Sequence, residues 1–283
     1  MLSLDFSAVF IYLLLKKMGN LDIFVFAHMG NFHPYPNNPA YKLVSMEPIK
    51  TDIPWEQIIC DRKKDGLMKM EHGYSEGARM HYIWKNVPLK KYVGTAHYRR
   101  YFKFFEKVPD MDVVFEEHDA ILPKFNLGWP NVYVNYENSH NIADFQHCID
   151  IIKRDFPEFY PAAENTKKSD TFYPCNIFVL TRETFNEYCK FVFDVLDKYN
   201  EEMGFKTDLD IANWVVNNLP LYCGNKRSIN SNSSYQTRIQ AFLMERLSTI
   251  FFITRIKNPL MLDLVITEIH EDFEKLWFDE YEK

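Results

Sequence analysis

The sequence lacks the cysteine patterns that stabilise small secreted domains or hold structural zinc. Its five cysteines are widely spread, and no two of them form a CxxC pair. A disulfide framework or a zinc site needs cysteines at recurring short spacings. We therefore expect neither feature, and the scattered thiols are typical of a protein from a reducing compartment.

Excess positive charge is also missing. The formal net charge is −6 and the pI is about 5.9, whereas a nucleic-acid-binding protein normally carries a basic surface. We therefore expect no nucleic-acid partner. Any anionic ligand has to be held by a local cluster of cations.

The N-terminal apolar run, Phe6–Leu15, is too short to span a bilayer, which takes roughly 20 residues. Lys16 and Lys17 follow the run instead of preceding it, so it does not have the charge order of a signal peptide. It is either a packed or interfacial segment, or an extension upstream of a translation start at Met18. We expect a cytoplasmic protein, with or without peripheral contact at the inner face of the cell membrane.

What the sequence does contain is enough apolar surface for a substantial core. Of its 283 residues, 47% are hydrophobic and 16% are aromatic, which argues against a disordered chain. The length allows one large domain or two small ones. We expect a single α/β domain over residues 21–262, preceded by an N-terminal extension over 1–20 and followed by an acidic tail over 263–283.

The segment Tyr92–Phe102 is the most informative stretch. It begins as a buried strand and ends abruptly in His97, Tyr98, Arg99 and Arg100. In an open α/β sheet, ligands bind in the crevice at the carboxyl ends of the strands. Two adjacent guanidinium groups there can grip a phosphate or diphosphate in bidentate fashion. The alternative is that both arginines pair with carboxylates at the surface while the tyrosines pack.

Other segments give the remaining elements. Leu21–Ala27 reads as the first central strand, and His28 directly after it either contacts a nucleotide base or is an ordinary polar loop residue. Tyr173–Leu180 reads as a second buried strand, in which Asn176 needs a hydrogen-bond partner, and Thr181 caps the next helix. Helices are expected at Ser75–Asn86, with Ser75 as N-cap, and at Ser139–Asp155, Asp208–Leu219 and Gln236–Phe252.

Carboxylates around a further strand at Val113–Phe115 invite a metal hypothesis, because hard divalent cations take oxygen ligands. Asp119 belongs to this group. No clean Asp-x-Asp follows a predicted strand, however, and Asp110-Met111-Asp112 lies in a turn before one. We predict no protein metal site, and leave weak Mg²⁺ or Mn²⁺ binding through few ligands as the alternative.

The helix Gln236–Phe252 has polar residues opposite its apolar stripe. Arg238 and Glu245 are seven residues apart, nearly two turns, so they project from one side of the helix. That side either faces a cleft, where Arg238 or Arg246 fixes the Glu245 carboxylate, or it is a solvated ion cluster or buried strut.

Taken together, these motifs resemble one bacterial family. The resemblance spans about Leu21 to Pro259. It rests on Glu76 with Tyr82-Ile83-Trp84-Lys85-Asn86, Gly94 with His97-Tyr98-Arg99-Arg100-Tyr101-Phe102, Asn176-Ile177-Phe178 with Phe185 and Tyr188-Cys189, and Arg238 with Glu245-Arg246-Leu247. The family, long known only as a domain of unknown function, occurs in capsular and exopolysaccharide gene clusters and includes galactofuranosyltransferases.

The resemblance implies a glycosyltransferase with a GT-A-like, single Rossmann-type core, in which a mostly parallel central sheet is flanked by helices. It implies transfer of galactofuranose or galactose from a UDP-sugar to a glycan or polyprenyl-diphosphate-linked acceptor, with Glu245 as the first candidate base, Asp119 as the second, and His97 as a phosphate, sugar or metal contact. The implied donor-binding residues are His28, Glu76, Lys85, Tyr98, Arg99, Arg100, Asn176, Arg238 and Arg246.

Two other functional classes fit the same residues. One is a non-catalytic protein that binds a carbohydrate or nucleotide-sugar during polysaccharide assembly. The other is a nucleotide-sugar hydrolase or phosphotransferase. Detection of sugar transfer to an acceptor would distinguish a glycosyltransferase from both of these classes.

Overall fold

The computed structural model describes residues 19–27, 38–49, 56–104, 108–224, 226 and 228–266, and its strands form a single sheet. The strands are β1 (Leu21–Phe26), β2 (Tyr41–Ser45), β3 (Gln57–Ile59), β4 (Tyr92–His97), β5 (Arg100–Phe102), β6 (Ala120–Pro123), β7 (Phe178–Thr181), β8 (Pro259–Leu262) and β9 (Leu264–Ile266).

The strand order creates a crevice beside β4. The order is β3-β2-β1-β4-β7-β6-β8, and β5 pairs with both β4 and β9. β1 pairs in parallel with β2 on one side and with β4 on the other, so the connections after β1 and β4 diverge there. Such a switch point opens a crevice at the carboxyl ends of the two strands, where ligands of α/β sheets bind.

The sheet is mostly parallel, as predicted. Only β7 runs against its neighbours on the main path, since it is antiparallel to both β4 and β6. The two antiparallel steps leave β6 parallel to β4. The prediction of an α/β fold with a mostly parallel sheet flanked by helices is therefore confirmed.

Helices cover the sheet and complete two cores. Successive residues of β1 face opposite sides: Phe24 and Phe26 join the larger core, and Ile23 and Val25 the smaller one. The helices are α1 (Glu71–Tyr74), α2 (Glu76–Asn86), α3 (Met111–Glu117), α4 (Val132–Ser139), α5 (Ile142–Asp155), α6 (Tyr160–Asn165), α7 (Arg182–Met203), α8 (Asp208–Asn217), α9 (Leu219–Cys223), α10 (Ser233–Gln236) and α11 (Ile239–Arg255).

Several predicted boundaries are confirmed and others are wrong. Thr181 caps α7 as expected, because its side chain accepts a hydrogen bond from the Thr184 N–H. The predicted strand at Val113–Phe115 is wrong. Asp110 caps a helix there by accepting from the Asp112 N–H, so the sequence Asp110-Met111-Asp112 starts α3 and is not a ligand set.

Local capping and turns explain the other differences. The helix expected from Ser139 to Asp155 begins only at Ile142, because the Asn141 side chain caps α5 there, and Ser139 is instead the last residue of α4. The strand expected from Tyr173 begins only at Phe178, since Pro174–Asn176 forms a 3₁₀ turn. The helix expected from Gln236 begins at Ile239 and continues to Arg255.

Near the C-terminus the structure describes a further strand, whereas the N-terminal apolar run is not among the described residues. The sheet continues past the boundary predicted at residue 262, because β9 pairs with β5. The apolar run Phe6–Leu15 and His28 lie outside the described residues. Among the described helices, none has the length and apolar character needed to cross a membrane.

Close packing at the centre of the sheet makes Gly94 sensitive to substitution. A Cβ added there would lie 2.9 Å from Ile23 Cγ1 and 3.2 Å from Val179 Cγ2. We expect Gly94→Ala to lower the free energy of unfolding by about 1–3 kcal/mol through overpacking, measured by urea denaturation. Gly66→Ala is the matched control because no atom lies within 4 Å of its added Cβ; equal losses in both variants would contradict the expectation.

Candidate active site

The hairpin after β4 presents the predicted cationic cluster at the crevice. His97 pairs with Arg100 across the β4–β5 turn, which Tyr98 and Arg99 form. The Arg99 N–H donates to His97 Nδ1 at 3.3 Å, and the Arg99 guanidinium lies 4.8 Å from the centre of the Tyr98 ring. The turn thus places both arginines, half-buried, at the carboxyl end of the central strand.

A second turn, Pro174–Asn176, lies beside the end of β4. Cys175 and Asn176 have φ angles of 62° and 49°, in the left-handed region that non-glycine residues seldom adopt. Thr95 of β4 fixes the turn by donating its hydroxyl to the Asn176 carbonyl. Consecutive left-handed residues store strain, and such strain is found where the surrounding structure holds a functional geometry.

The Cys175 N–H in this turn fixes Glu245 on α11. It donates to Glu245 Oε1 at 2.9 Å, while Arg246 Nη1 donates to Glu245 Oε2 at 2.9 Å. Both oxygens of this carboxylate are therefore engaged. Glu245 therefore faces the turn beside the end of β4, and whether this side of the helix borders a cleft or is a buried strut stays a prediction.

The Asn176 side chain fixes a second carboxylate, Glu76, the first residue of α2. Asn176 Nδ2 donates to Glu76 Oε1 at 3.2 Å. Burial raises the pKa of Glu76 most, and the charge of Glu245 raises it further. Arg238, the Asn176 hydrogen bond and Arg100 act in the opposite direction. The four charged groups are thus close enough to act on one another.

Arg238 and Ser75 connect the starts of α11 and α2. Arg238 Nη2 donates to Ser75 Oγ at 2.9 Å, and its guanidinium lies 5.7 Å from the ring centres of both Tyr235 and Phe242. Ser75 occupies the predicted N-cap position, but its side chain makes no capping hydrogen bond. It holds Arg238 at the rim of the site instead.

Arg246 makes the contact with Glu245 that was predicted as one of its two roles, the other being donor binding. It is 4% exposed, and its guanidinium lies 5.0 Å and 4.9 Å from the ring centres of Tyr136 and Phe172. It donates to Glu245 and, at 2.8 Å, to Asn135 Oδ1. A guanidinium sandwiched in this way holds Glu245 and has no free face for a ligand.

Two other predicted residues lie away from the site. Asp119 precedes β6 and accepts hydrogen bonds from the Lys257 and Asn258 N–H groups. Because β6 runs parallel to β4, Asp119 lies at the opposite edge of the sheet from the arginines, which removes it as a base. Lys85 is exposed near the far end of α2, with its ammonium 3.4 Å from the Trp84 ring centre.

Sequence reasoning missed the contribution of Cys175. Its thiol lies among Arg100, Glu245, Glu76 and Arg99, and burial raises its pKa to about 12, so it is a neutral group. The only signal in the sequence was Pro174 followed by Asn176, a turn-forming combination that was read as part of a strand.

A structural role for Arg246 can be separated from a ligand-binding one. We expect Arg246→Lys to lower the free energy of unfolding by about 2–4 kcal/mol, because a lysine cannot make the buried fork of hydrogen bonds and leaves Glu245 and Asn135 poorly paired. Thermal and urea unfolding would measure it. Arg99→Lys, at the half-buried turn, is the control and should change stability by less than about 1 kcal/mol. Similar losses in both would argue against this distinction.

Comparisons with known proteins agree with this architecture. The family described as a domain of unknown function (DUF4422) matches residues 22–256. The apo structure of WbbM, a bifunctional glycosyltransferase, superposes with a TM-score of 0.64 at 20% identity, over 88% of this chain and 46% of that one. This chain spans less than half of that enzyme's length, and at such identity the likeness shows a shared fold. No curated protein matches the sequence.

Proposed function

The chain belongs to the DUF4422 family, and from that premise we propose that it is an inverting glycosyltransferase that uses a UDP-sugar. The observation that carries the proposal is the convergence of an arginine pair and two carboxylates at the switch point of the sheet, in a fold shared with a bifunctional glycosyltransferase. The donor sugar is galactofuranose or galactose. The acceptor is a glycan or a polyprenyl-diphosphate-linked sugar of capsular or exopolysaccharide synthesis.

The cations would bind the donor diphosphate. Arg99 and Arg100 follow the central strand at the edge where α/β sheets hold nucleotides. Guanidinium groups bind phosphate oxygens through paired hydrogen bonds, and they stabilise the negative charge that grows on the diphosphate as it leaves. His97 and Tyr98, at the same strand end, would contact phosphate or sugar.

The carboxylates would supply the base. In an inverting transfer, the acceptor oxygen forms a bond to the anomeric carbon while the bond from that carbon to the diphosphate breaks. The electron pair leaves with the diphosphate, and the acceptor proton passes to a protein base. Glu245 and Glu76 are the carboxylates at the site, and sequence reasoning favours Glu245.

Metal-independent transfer is part of the proposal. The described residues contain no group of three or more His, Cys, Asp or Glu side chains that could hold an ion. Glu76 and Glu245 are already hydrogen-bonded and face Arg100 and Arg238, an environment that suits an anionic ligand better than a cation. Weak Mg²⁺ or Mn²⁺ binding through the donor diphosphate is the alternative.

The proposal is tested first by a donor screen. A panel of UDP-sugars is incubated with the protein and simple glycoside or polyprenyl-diphosphate-sugar acceptors, and products are detected by mass spectrometry. We expect transfer from at least one UDP-sugar. UDP binding with no transfer to any acceptor would favour the non-catalytic binding protein, and release of free sugar alone would favour the hydrolase.

Donor binding gives a prediction that does not need the acceptor. We expect Arg99→Ala and Arg100→Ala each to weaken UDP binding by about 1.5–3 kcal/mol, the contribution of a charge-assisted hydrogen bond, measured by calorimetry. Lys85→Ala is the control because it also removes one positive charge, but from an exposed position beyond the site. Unchanged affinity in both arginine variants would remove them from the donor site.

Metal dependence is predicted from the same charges. We expect transfer to continue at an undiminished rate after EDTA treatment and desalting, because the arginines already neutralise the diphosphate. Complete loss of transfer that Mg²⁺ or Mn²⁺ restores would instead show that the donor is bound through a cation.

A further inference from the structure

The two carboxylates of the site differ in how their oxygens are used. Glu245 accepts from Cys175 N–H on one oxygen and from Arg246 on the other. Glu76 accepts from Asn176 on Oε1, and its Oε2 accepts no hydrogen bond from any residue that the structure describes. Glu76 is half-buried, and of the four carboxylate oxygens of the pair Oε2 is the one that accepts nothing from the described residues, which leaves it best placed to accept from a ligand.

We propose that Glu76, not Glu245, is the base that takes the acceptor's proton, and that Asn176 is the residue that positions it. This inference rests on the proposed glycosyltransferase function. The acceptor O–H bond breaks, its proton binds Glu76 Oε2, and the oxygen bonds to the anomeric carbon as the diphosphate departs with its electron pair. Glu245 stays in place as a fixed negative charge.

A buried chain of hydrogen bonds fixes the orientation of the Asn176 amide. Its oxygen Oδ1 lies 2.9 Å from Ser248 Oγ, and the single hydrogen of that hydroxyl is shared between Oδ1 and the Met244 carbonyl, which lies 2.7 Å away. Tyr188 OH lies 2.8 Å from the same hydroxyl and therefore donates to it. Because a carboxylate oxygen can only accept, the amide presents its N–H₂ group to Glu76 and its oxygen to Ser248.

The burial of these hydrogen-bonded residues explains why the Asn176 amide has one orientation. Tyr188 and Ser248 are fully buried and Asn176 is 3% exposed. A flipped amide would place its oxygen against the Glu76 carboxylate and leave buried groups unpaired, which is costly where water cannot compensate. The chain therefore holds Glu76 in one position relative to Glu245.

The surrounding charges favour Glu76 as proton acceptor. Its burial and the neighbouring Glu245 charge raise its pKa above the ordinary carboxyl value, toward the range in which a general base is efficient. Protonation of Glu76 also relieves the repulsion between the two carboxylates. The other charged or titratable groups that face Glu76 are Arg238 from α11, Arg100 from β5, Cys175 from the turn and Tyr188 from α7.

Two near-isosteric variants decide between the carboxylates. We expect Glu76→Gln to reduce turnover about 10²–10⁴-fold at every pH, the usual contribution of a general base, with UDP affinity nearly unchanged and a melting temperature at neutral pH that is not lowered. Glu245→Gln should keep a higher turnover than Glu76→Gln, and the acidic limb of its kcat/KM against pH should move to lower pH, because removing the like charge lowers the pKa of Glu76. The reverse pattern would overturn the assignment in favour of Glu245.

The positioning role has its own test. We expect Ser248→Ala to lower kcat at least tenfold with unchanged donor KM, and to change the pH profile, because Asn176 is then free to turn away from Glu76. Thr254→Ala is the matched control: each hydroxyl donates to a backbone carbonyl of α11, but Thr254 does not reach the site. Equal effects of the two variants would show a merely structural role.

A measurement without turnover keeps the inference separate from the proposed function. Titration of ¹³C-labelled glutamate side chains by NMR should give a Glu76 pKa that falls in Glu245→Gln. An unchanged pKa would overturn the carboxylate coupling whether or not transfer is found. If the wild-type protein transferred no sugar, the proposed glycosyltransferase function would be contradicted. If the wild type and Glu76→Gln were both active, only the assignment of Glu76 as the base would be contradicted.

Discussion

The left-handed turn at Cys175 and Asn176 is the constraint on which the rest of the site depends. Its backbone N–H holds Glu245 and its side-chain amide holds Glu76, so one strained dipeptide sets the separation of two carboxylates from different helices. Asparagine adopts the left-handed region more readily than most non-glycine residues, whereas cysteine has no such preference. Such a conformation persists only because β4 and α11 fix it on both sides, through Thr95 and Ser248.

Much of the fold could be read from the sequence because its signals are local. The buried strand before His97, the cap at Thr181 and the arginines at the strand end depend on neighbours within a few residues. The separation of Asp119 from the arginines could not be read in this way. The reversal of β7 decides which edge of the sheet Asp119 occupies, and strand order is set by long-range packing that leaves no mark in residue spacing.

The roles of the four arginines also cannot be distinguished from the sequence, and only their burial in the structure separates them. Arg99, Arg100, Arg238 and Arg246 were all expected to face a ligand. Burial divides them, since Arg246 is enclosed by two aromatic rings while the others are half-buried at the crevice. A buried guanidinium is costly unless its hydrogen bonds are made. Glu245 and Asn135 supply those bonds, which makes Glu245 part of a rigid support as well as a member of the site.

The raised pKa of Glu76 has a consequence for stability that bears on function. A carboxyl group whose pKa is higher in the folded than in the unfolded state binds its proton more tightly when folded. Its contribution to stability is therefore greatest at low pH, and stability falls as pH rises from the unfolded pKa through the folded one. At neutral pH the fold tolerates an energetic cost that replacing Glu76 by an uncharged residue would remove.

Asp144 shows that burial alone does not explain this cost. It is also buried, with a pKa raised to about 6; Tyr199 and Tyr222 donate to its Oδ1, and its Oδ2 accepts no hydrogen bond from the described residues. In the described part of the chain, however, no second carboxylate is among the groups that shift this pKa. Glu76 differs from Asp144 because it is placed beside another negative charge, that of Glu245. A fold that keeps a repulsive, incompletely satisfied pair at the switch point of its sheet gives up stability where ligands bind, which is the usual signature of a site selected for chemistry and not for packing.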